Sequence, residues 1–426
     1  MTTSAAERES QNIELAGSDE EVEKLLADFH EVLPWPWRPA QLRFPEDDDF
    51  YIRSLNAAAG YLREPVIPLS GARIWVPGCA MVHGVQTALN YPDAQVIGSD
   101  ISRRELTASR EIAQQVDARN LELREESINE IDYSEEFDHI ICTGVLHHQA
   151  DPGRTLAQLA RALKPTGVME LMVYNRYHRT ASSACQKAVR LLGGDDLDYA
   201  GQLSLARSLL GLAPDESEMA RLRDRIAGLP DVAVGDALIY PIEYSYTVRT
   251  LSEMAAGCGL RLAMPILNQF DQMWGTYDWE LPVDEPNLKR RYLALSDEDR
   301  WQVTNLLRLE RSPMLWFYLQ RDDNPRKIGD QRSVAGDFLA TVFRRHDTKL
   351  RSYVLDKTKT YRLAQSRIPL PAGAPDPSVR DILELVDGER SMEEIFARLG
   401  RTTEPAAVNR ARIHLTSMSY PYLVTA

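Results

Sequence analysis

The stretch between Ala72 and Tyr174 alternates short apolar runs with longer amphipathic segments, and this alternation constrains the fold most. The predicted strands are residues 73–79, 94–98, 121–124, 137–144 and 168–174. The predicted helices between them are residues 81–89, 102–117 and 151–163. Strands that alternate with helices at this spacing predict a parallel, doubly wound α/β sheet with helices on both faces.

The same pattern resumes later in the chain. A helix is expected at 247–257, a sixth strand at 260–267 and a final apolar strand at 314–319. The intervening segments, about 180–234 and 268–312, are expected as insertions near the carboxyl edge of the sheet. The second insertion contains an aromatic group that could stack on a substrate or fill a core, formed by Phe270, Trp274, Tyr277 and Trp279.

Shifts in composition divide the chain into three parts. Residues 1–50 form an N-terminal helical and aromatic extension, whose helix begins at a Ser18–Glu21 capping box and ends before Pro34. The Trp-Pro stretch at 34–37 either covers a site or packs as a rigid loop. Residues 51–321 carry the α/β pattern. After them, 322–426 comprise a charged linker and a small, mainly helical domain.

Composition excludes several classes of protein. The 426 residues include 49 Lys+Arg and 63 Asp+Glu, a net charge of −14 that disfavours non-specific nucleic-acid binding. No apolar run is long enough for a membrane helix. The four cysteines form no CxxC pair, so we expect neither a disulfide framework nor a metal site, and we expect a cytoplasmic protein. Length predicts two or three domains, at about 150 residues each.

The loop after the first strand and the acid after the second strand point to a nucleoside-containing cofactor. The loop is residues 77–81, and Asp100 lies where an acidic side chain accepts hydrogen bonds from both hydroxyls of a ribose. This arrangement alone fits NAD, FAD or S-adenosylmethionine. Only Gly78 occupies a glycine position of the dinucleotide fingerprint, since Ala80 and Val82 fill the other two. The loop therefore favours a single nucleoside.

Five segments in this order resemble the motifs of class I S-adenosylmethionine-dependent methyltransferases. They are residues 74–79, 96–102, 126–128, 137–148 and 163–167. The resemblance extends over about residues 36–320 and implies a Rossmann-like, seven-stranded methyltransferase sheet with helical insertions. It is closest to a bacterial subgroup whose first motif lacks the usual acid.

The resemblance implies which residues bind S-adenosylmethionine. They are Gly78, Cys79, Ala80, Asp100, Ile101, Ser127, Ile128, Thr143, Gly144 and Val145. The family's acid two positions before Gly78 is Val76 here, so we predict that a backbone carbonyl, of Gly78 or Thr143, accepts from the methionine ammonium.

Catalytic candidates follow the fourth and fifth strands. His147 and His148 are placed for either proton transfer or loop packing, and Tyr174 begins a polar cluster, 174–178, suited to substrate contacts. Cys79 and Cys142 are interpreted as small core residues.

We expect methyl transfer to an O or N atom of a small metabolite or a peptide, as in natural-product or peptide tailoring. Residues 379–395 resemble part of small winged-helix peptide-binding domains, which supports a peptide acceptor. The alternative is a non-catalytic methyltransferase-like scaffold or binding protein. An RNA substrate is disfavoured because residues 143–146 lack the Asn/Asp-Pro-Pro-aromatic motif. The sequence leaves homo-oligomerisation open.

Overall fold

The structure is a computed structural model that describes residues 18–33, 38–194, 196–267, 279–309, 312–370, 374–418 and 421–426. Its strands are β1 (Gln41–Pro45), β2 (Arg73–Pro77), β3 (Gln95–Asp100), β4 (Leu121–Glu125), β5 (Phe137–Thr143), β6 (Leu163–Tyr174), β7 (Leu260–Pro265), β8 (Met314–Arg321), β9 (Phe343–Arg345), β10 (Thr348–Leu355), β11 (Tyr361–Leu363), β12 (Ile368–Leu370) and β13 (Leu423–Thr425).

The helices alternate with these strands through the middle of the chain and dominate its insertions. They are α1 (Asp19–Val32), α2 (Phe50–Ala58), α3 (His83–Asn90), α4 (Arg103–Gln115), α5 (Pro152–Ala162), α6 (Arg176–Gly193), α7 (Tyr199–Gly211), α8 (Glu218–Ile226), α9 (Asp231–Leu238), α10 (Val248–Gly257), α11 (Pro286–Leu293), α12 (Asp297–Arg308), α13 (Gln331–Ala340), α14 (Arg380–Leu385), α15 (Met392–Arg398) and α16 (Pro405–Thr416).

A seven-stranded sheet with the order β4-β3-β2-β5-β6-β8-β7 forms the centre of the molecule. The pairs between β4 and β6 are parallel, whereas β8 runs antiparallel to both of its neighbours. Interior strands are buried because both faces of the sheet are covered; the first six residues of β5 are all buried, including the polar Asp138 and His139. The predicted fold class, a doubly wound α/β sheet with helical insertions, is confirmed.

Two local expectations need correction: the spacing of Ser102 and Glu105 predicts a capping box, and the pattern of residues 22, 25, 26 and 29 predicts one apolar face of α1. Ser102 accepts from the Glu105 N–H, but no reciprocal bond completes a capping box, because the Ser102 N–H donates to Asp100 instead. The face expected for α1 included Leu25, which is exposed, whereas Val22, Leu26 and Phe29 are buried as expected. The Ser18–Glu21 capping box is present.

The first insertion packs as a helical layer against α1. Helices α6 to α9 and α1 share one apolar cluster, which includes Phe29, Val189, Leu210 and Leu238. Trp279 is buried against Phe317 of the sheet, with ring centroids 5.6 Å apart, so it is a core residue. The other aromatic candidates, Phe270, Trp274 and Tyr277, and the stretch 34–37 lie outside the described residues.

The C-terminal part packs directly onto the α/β core. One apolar cluster joins Ile74 of β2 to Phe338 of α13 and Ile395 of α15. The C-terminal strands build two small sheets: β9 pairs with β13, and β10 pairs with β11, β12 and β1. Strand β10 was not expected, although Thr348–Leu355 alternates buried and more exposed residues along its first half. The winged-helix resemblance stays a prediction. No helix among the described residues has the length and apolar character to cross a membrane.

Candidate cofactor and acceptor site

A cavity of about 330 Å³ opens at the carboxyl ends of four neighbouring strands. Gly78 follows β2, and Asp100, Thr143 and Tyr174 end β3, β5 and β6; all four line the cavity. Ligands of doubly wound sheets bind at this edge, where the strand order reverses. Helix α1, helix α9 and Tyr240 close the opposite wall.

Asp100 ties the loop after β2 to the end of β3. One of its carboxylate oxygens accepts from the Ala80 N–H at 2.9 Å and the other from the Ser102 N–H at 2.9 Å. Burial raises the pKa of Asp100 above its ordinary value, and the backbone donors oppose that shift. Since a carboxylate offers about four lone-pair sites, both oxygens can still accept from a ribose diol. The site therefore fits the cofactor predicted for it.

The loop after β2 makes a tight turn against the loop after β5. Gly78 has φ +63°, and a Cβ built there would lie 2.3 Å from Cγ2 of Val145. Only glycine fits such a contact. Ala80 also has a positive φ, +45°, a strained conformation for a residue with a Cβ. Val76 is fully buried within β2, and the backbone acceptor expected in its place stays a prediction.

Eight of the ten residues predicted to bind the cofactor line the cavity, and two lie outside it. Cys79 is buried beneath the loop, where its sulfur would lie 3.0 Å from a Cβ at Gly98. Ser127 does not line the cavity; its hydroxyl bonds Glu23 and accepts from the Asn129 N–H at 3.0 Å. The eight that line it are Gly78, Ala80, Asp100, Ile101, Ile128, Thr143, Gly144 and Val145.

His148 lines the cavity as a neutral imidazole. Its Nδ1–H donates to the Ile242 carbonyl at 2.8 Å, which fixes the tautomer and leaves Nε2 as an acceptor. Burial lowers the pKa of His148 to about 3. Its ring lies 3.9 Å from the ring of Tyr240, centroid to centroid.

His147 lies behind this wall and does not line the cavity. Its ring is fully buried and packs 4.0 Å from the ring of Tyr174, and neither of its nitrogens has a hydrogen-bond partner among the residues that the structure describes. Burial lowers the pKa of His147 well below its ordinary value. Packing, rather than proton transfer, is the role that these contacts support. Tyr174 does line the cavity, and its hydroxyl donates to Asp236 at 3.4 Å.

The cavity residues that were missed in the sequence include Glu23, His30, Asp236 and Tyr240. Glu23 and His30 lie two turns apart on α1; Glu23 accepts from Asn129 at 3.1 Å, and His30 Nε2 is 3.0 Å from the Tyr240 hydroxyl. Asp236 interrupts an otherwise apolar end of α9, and this isolated acid was the sequence feature that could have indicated a site residue. Burial raises its pKa to about 6.

The chain matches known methyltransferases in sequence and in fold. Residues 71–193 match the family described as a methyltransferase domain. An 87-residue segment is 36% identical to the ubiquinone biosynthesis O-methyltransferase of Rhodopseudomonas palustris, covering 20% of this chain and 32% of that enzyme. An uncharacterised Synechococcus protein is 27% identical over 323 residues, 73% of this chain and 75% of that protein.

A solved structure has the same fold over most of the chain. PKMT2 from Rickettsia typhi in complex with AdoHcy superposes with a TM-score of 0.57 at 17% identity, covering 92% of this chain and 77% of that one. The family match over residues 71–193, together with the sheet order and the carboxylate at the end of β3, identifies a class I S-adenosylmethionine-dependent methyltransferase domain in this chain. Its cofactor is S-adenosylmethionine.

Proposed function

We propose that this methyltransferase acts on a nitrogen or oxygen atom of a small metabolite or a peptide. The observation that carries the proposal is the two-sided cavity. Gly78 and Asp100 form its cofactor side, while Tyr174, Asp236 and His148 form a polar side with no predicted cofactor contact. Bound S-adenosylmethionine supplies an electrophilic methyl carbon, so the protein's task is to align an acceptor atom with it and to exclude water.

Helix α1 supports the exclusion of water. Glu23 accepts a hydrogen bond from Asn129, the His30 ring bonds the Tyr240 hydroxyl, and Leu26 adds an apolar contact surface to the cavity. Asp19 at the start of the helix pairs with Arg154 of α5. These contacts hold the helix across the cavity, which lowers the local dielectric and keeps water from competing with the acceptor.

The acceptor class is argued from this chain's own residues, because the match to the O-methyltransferase covers only a third of that enzyme. A peptide acceptor is supported by the resemblance of residues 379–395 to peptide-binding modules, and a small metabolite by the closure of the cavity under α1. We also place the protein in the cytoplasm, since its four cysteines are free thiols.

A cofactor-free scaffold is the second candidate. The strained Ala80 and the missing acid at Val76 favour it, because both weaken the usual cofactor loop. Calorimetric titration with S-adenosylmethionine and S-adenosylhomocysteine separates the two, with Asp100→Asn as the test variant and Glu125→Gln, one strand away and outside the cavity, as the control. Binding lost only in Asp100→Asn supports the enzyme; no binding to the unaltered chain overturns it.

The acceptor itself can be sought by labelled transfer. Cell extract is incubated with the protein and S-adenosylmethionine that carries an isotopically labelled methyl group, and the small-molecule and peptide fractions are analysed separately by mass spectrometry. Label in either fraction that depends on Asp100 supports catalysis. A protein that binds the cofactor yet labels neither fraction contradicts both acceptor classes.

A further inference from the structure

The acceptor side of the cavity carries an acid that its surroundings do not neutralise. Asp236 accepts from the Tyr174 hydroxyl at 3.4 Å, and among the described residues it forms no ion pair. Tyr240 lines the same cavity, and the charges of Asp236 and Asp100 both add to burial in raising its pKa.

The cation whose charge acts on Asp236, Arg179, is already bound to another acid. Its Nε–H donates to Glu243 at 2.8 Å, its Nη2 bonds the second Glu243 oxygen, and Gln186 donates to that same oxygen at 3.1 Å. Both partners are buried, and Arg179 also donates to the Ala237 carbonyl at 3.1 Å. The pair sums to zero charge, so ionised Asp236 leaves this region with one net negative charge.

The rest of the cavity wall offers no cation to Asp236. Its charged side chains are all acidic: Glu23, Asp100, Glu105, Glu126 and Asp236, with no Lys or Arg among the described lining residues. An unpaired carboxylate in a buried site is costly, and a cation that enters the site removes that cost. An acceptor with a negative charge would instead meet repulsion from every charged group of the wall.

The neighbouring aromatic residues are also suited to a cation. The hydroxyl oxygens of Tyr174 and Tyr240 can accept N–H bonds from an ammonium group beside the Asp236 carboxylate. The face of an aromatic ring attracts a cation, and Tyr174 shows this in the structure, since the Arg179 guanidinium lies 4.4 Å from its ring centroid.

We propose that the methyl acceptor is a protonatable amine, bound as its ammonium form at Asp236, and that Asp236 takes the proton that the nitrogen must lose. This inference rests on the proposed function. The ammonium gives one proton to the carboxylate, and the freed lone pair forms the N–C bond. The C–S bond breaks with its electron pair going to sulfur, and the proton passes from Asp236 to water. The pKa of Asp236, about 6, lets the carboxylate release that proton near neutral pH.

Matched probe pairs test the substrate class without knowledge of the natural acceptor. Butylamine is compared with 1-butanol, and 2-phenylethylamine with 2-phenylethanol, by ligand-observed NMR on the protein saturated with S-adenosylhomocysteine. We expect each amine to bind at least tenfold more tightly than its alcohol. Equal binding, tighter binding of the alcohols, or no binding of any probe overturns the inference.

Variants then assign the preference to one carboxylate. Asp236→Asn should abolish the amine preference and leave the affinity for S-adenosylhomocysteine within about twofold, while Glu125→Gln should behave like the unaltered chain. In labelled transfer to the better amine, kcat should fall about 100-fold or more in Asp236→Asn, in the range for loss of a general base. A preference that survives in Asp236→Asn refutes the role of Asp236.

The two proposals fail in different ways. If the unaltered chain does not bind S-adenosylhomocysteine, the proposed function itself is wrong. If it binds S-adenosylhomocysteine but shows no preference for amines, only the inference about the acceptor is wrong. The amine-over-alcohol comparison uses the unaltered chain, so it decides the question even if Asp236→Asn does not fold.

Discussion

The buried ion pair behind the acceptor side allows a sharp test of the energetics of the site. Glu243 is almost completely buried and accepts three hydrogen bonds, two from Arg179 and one from Gln186. Glu243→Gln keeps the size and one acceptor oxygen but removes the charge. Arg179, itself buried, is then left without its carboxylate.

Removal of one partner from a buried pair costs about 3–5 kcal/mol, because the remaining charge stays desolvated. Asp236 lies near enough to Arg179 for the guanidinium to lower the pKa of Asp236. In Glu243→Gln, Asp236 therefore replaces part of the attraction that Arg179 loses. We expect the loss of unfolding free energy to lie at the lower end of the range, about 3 kcal/mol. The same exchange lowers the pKa of Asp236 below about 6, since the like charge of Glu243 is gone and that of Arg179 remains.

The assay is urea unfolding followed by circular dichroism, with NMR titration of Asp236 as a second readout. Glu125→Gln is the control, because it breaks the exposed pair with Arg103 and should leave the unfolding midpoint unchanged. The double variant Arg179→Met with Glu243→Leu should recover most of the stability, since no charge is stranded. A loss below about 1 kcal/mol in Glu243→Gln, or an unchanged pKa of Asp236, would refute the reasoning.

The other predictions concern the cofactor loop and pH. Asp100→Ala should weaken S-adenosylhomocysteine binding by about 1.5–3 kcal/mol in calorimetry, and unchanged affinity would contradict its assigned role. Gly78→Ala should destabilise far more than Gly71→Ala in urea unfolding, because both have positive φ but only Gly78 meets Val145; equal losses would exclude the clash as the cause. Burial lowers the pKa of His139 to about 4 in the folded chain, whereas its ordinary value, 6.5, applies to the unfolded chain. As pH falls below about 6.5, the unfolded chain therefore binds a proton at His139 before the folded chain does. Stability should therefore fall between pH 6.5 and 4, less steeply in His139→Gln, and a slope unaffected by the substitution would contradict this account.

The sheet and the cofactor side could be predicted from sequence because their signals are local. The central strands β2, β3 and β5 contain short buried runs, and Gly78 and Asp100 lie where two of these strands end. The carboxyl ends of parallel strands meet at one edge, so the positions of such residues fix their neighbours in space. The sequence also marks Ala80 as a departure from the glycine pattern, and its φ in the structure is positive.

The acceptor side could not be predicted in the same way. Asp236 and Tyr240 come from an insertion, and Glu23 and His30 from the N-terminal helix, so no strand order determines where they meet. The position of Asp236 in the cavity depends on the packing of α9 against α6 and α7. The two adjacent histidines show most clearly what the sequence does not determine, because His148 lines the cavity while His147 packs against Tyr174 outside it.

The pairing of β1 with β10 has a consequence for synthesis of the protein. Leu42 of β1 is buried and lies opposite Tyr353 of β10, more than 300 residues later in the chain. A ribosome that adds roughly 5–20 residues per second reaches β10 about 15–60 s after β1 has been made. During that interval the nascent chain carries β1 as an unpaired strand edge. Folding of this region is thus delayed until translation is nearly finished, and a holdase that covers β1 on the ribosome would raise the yield of the native enzyme.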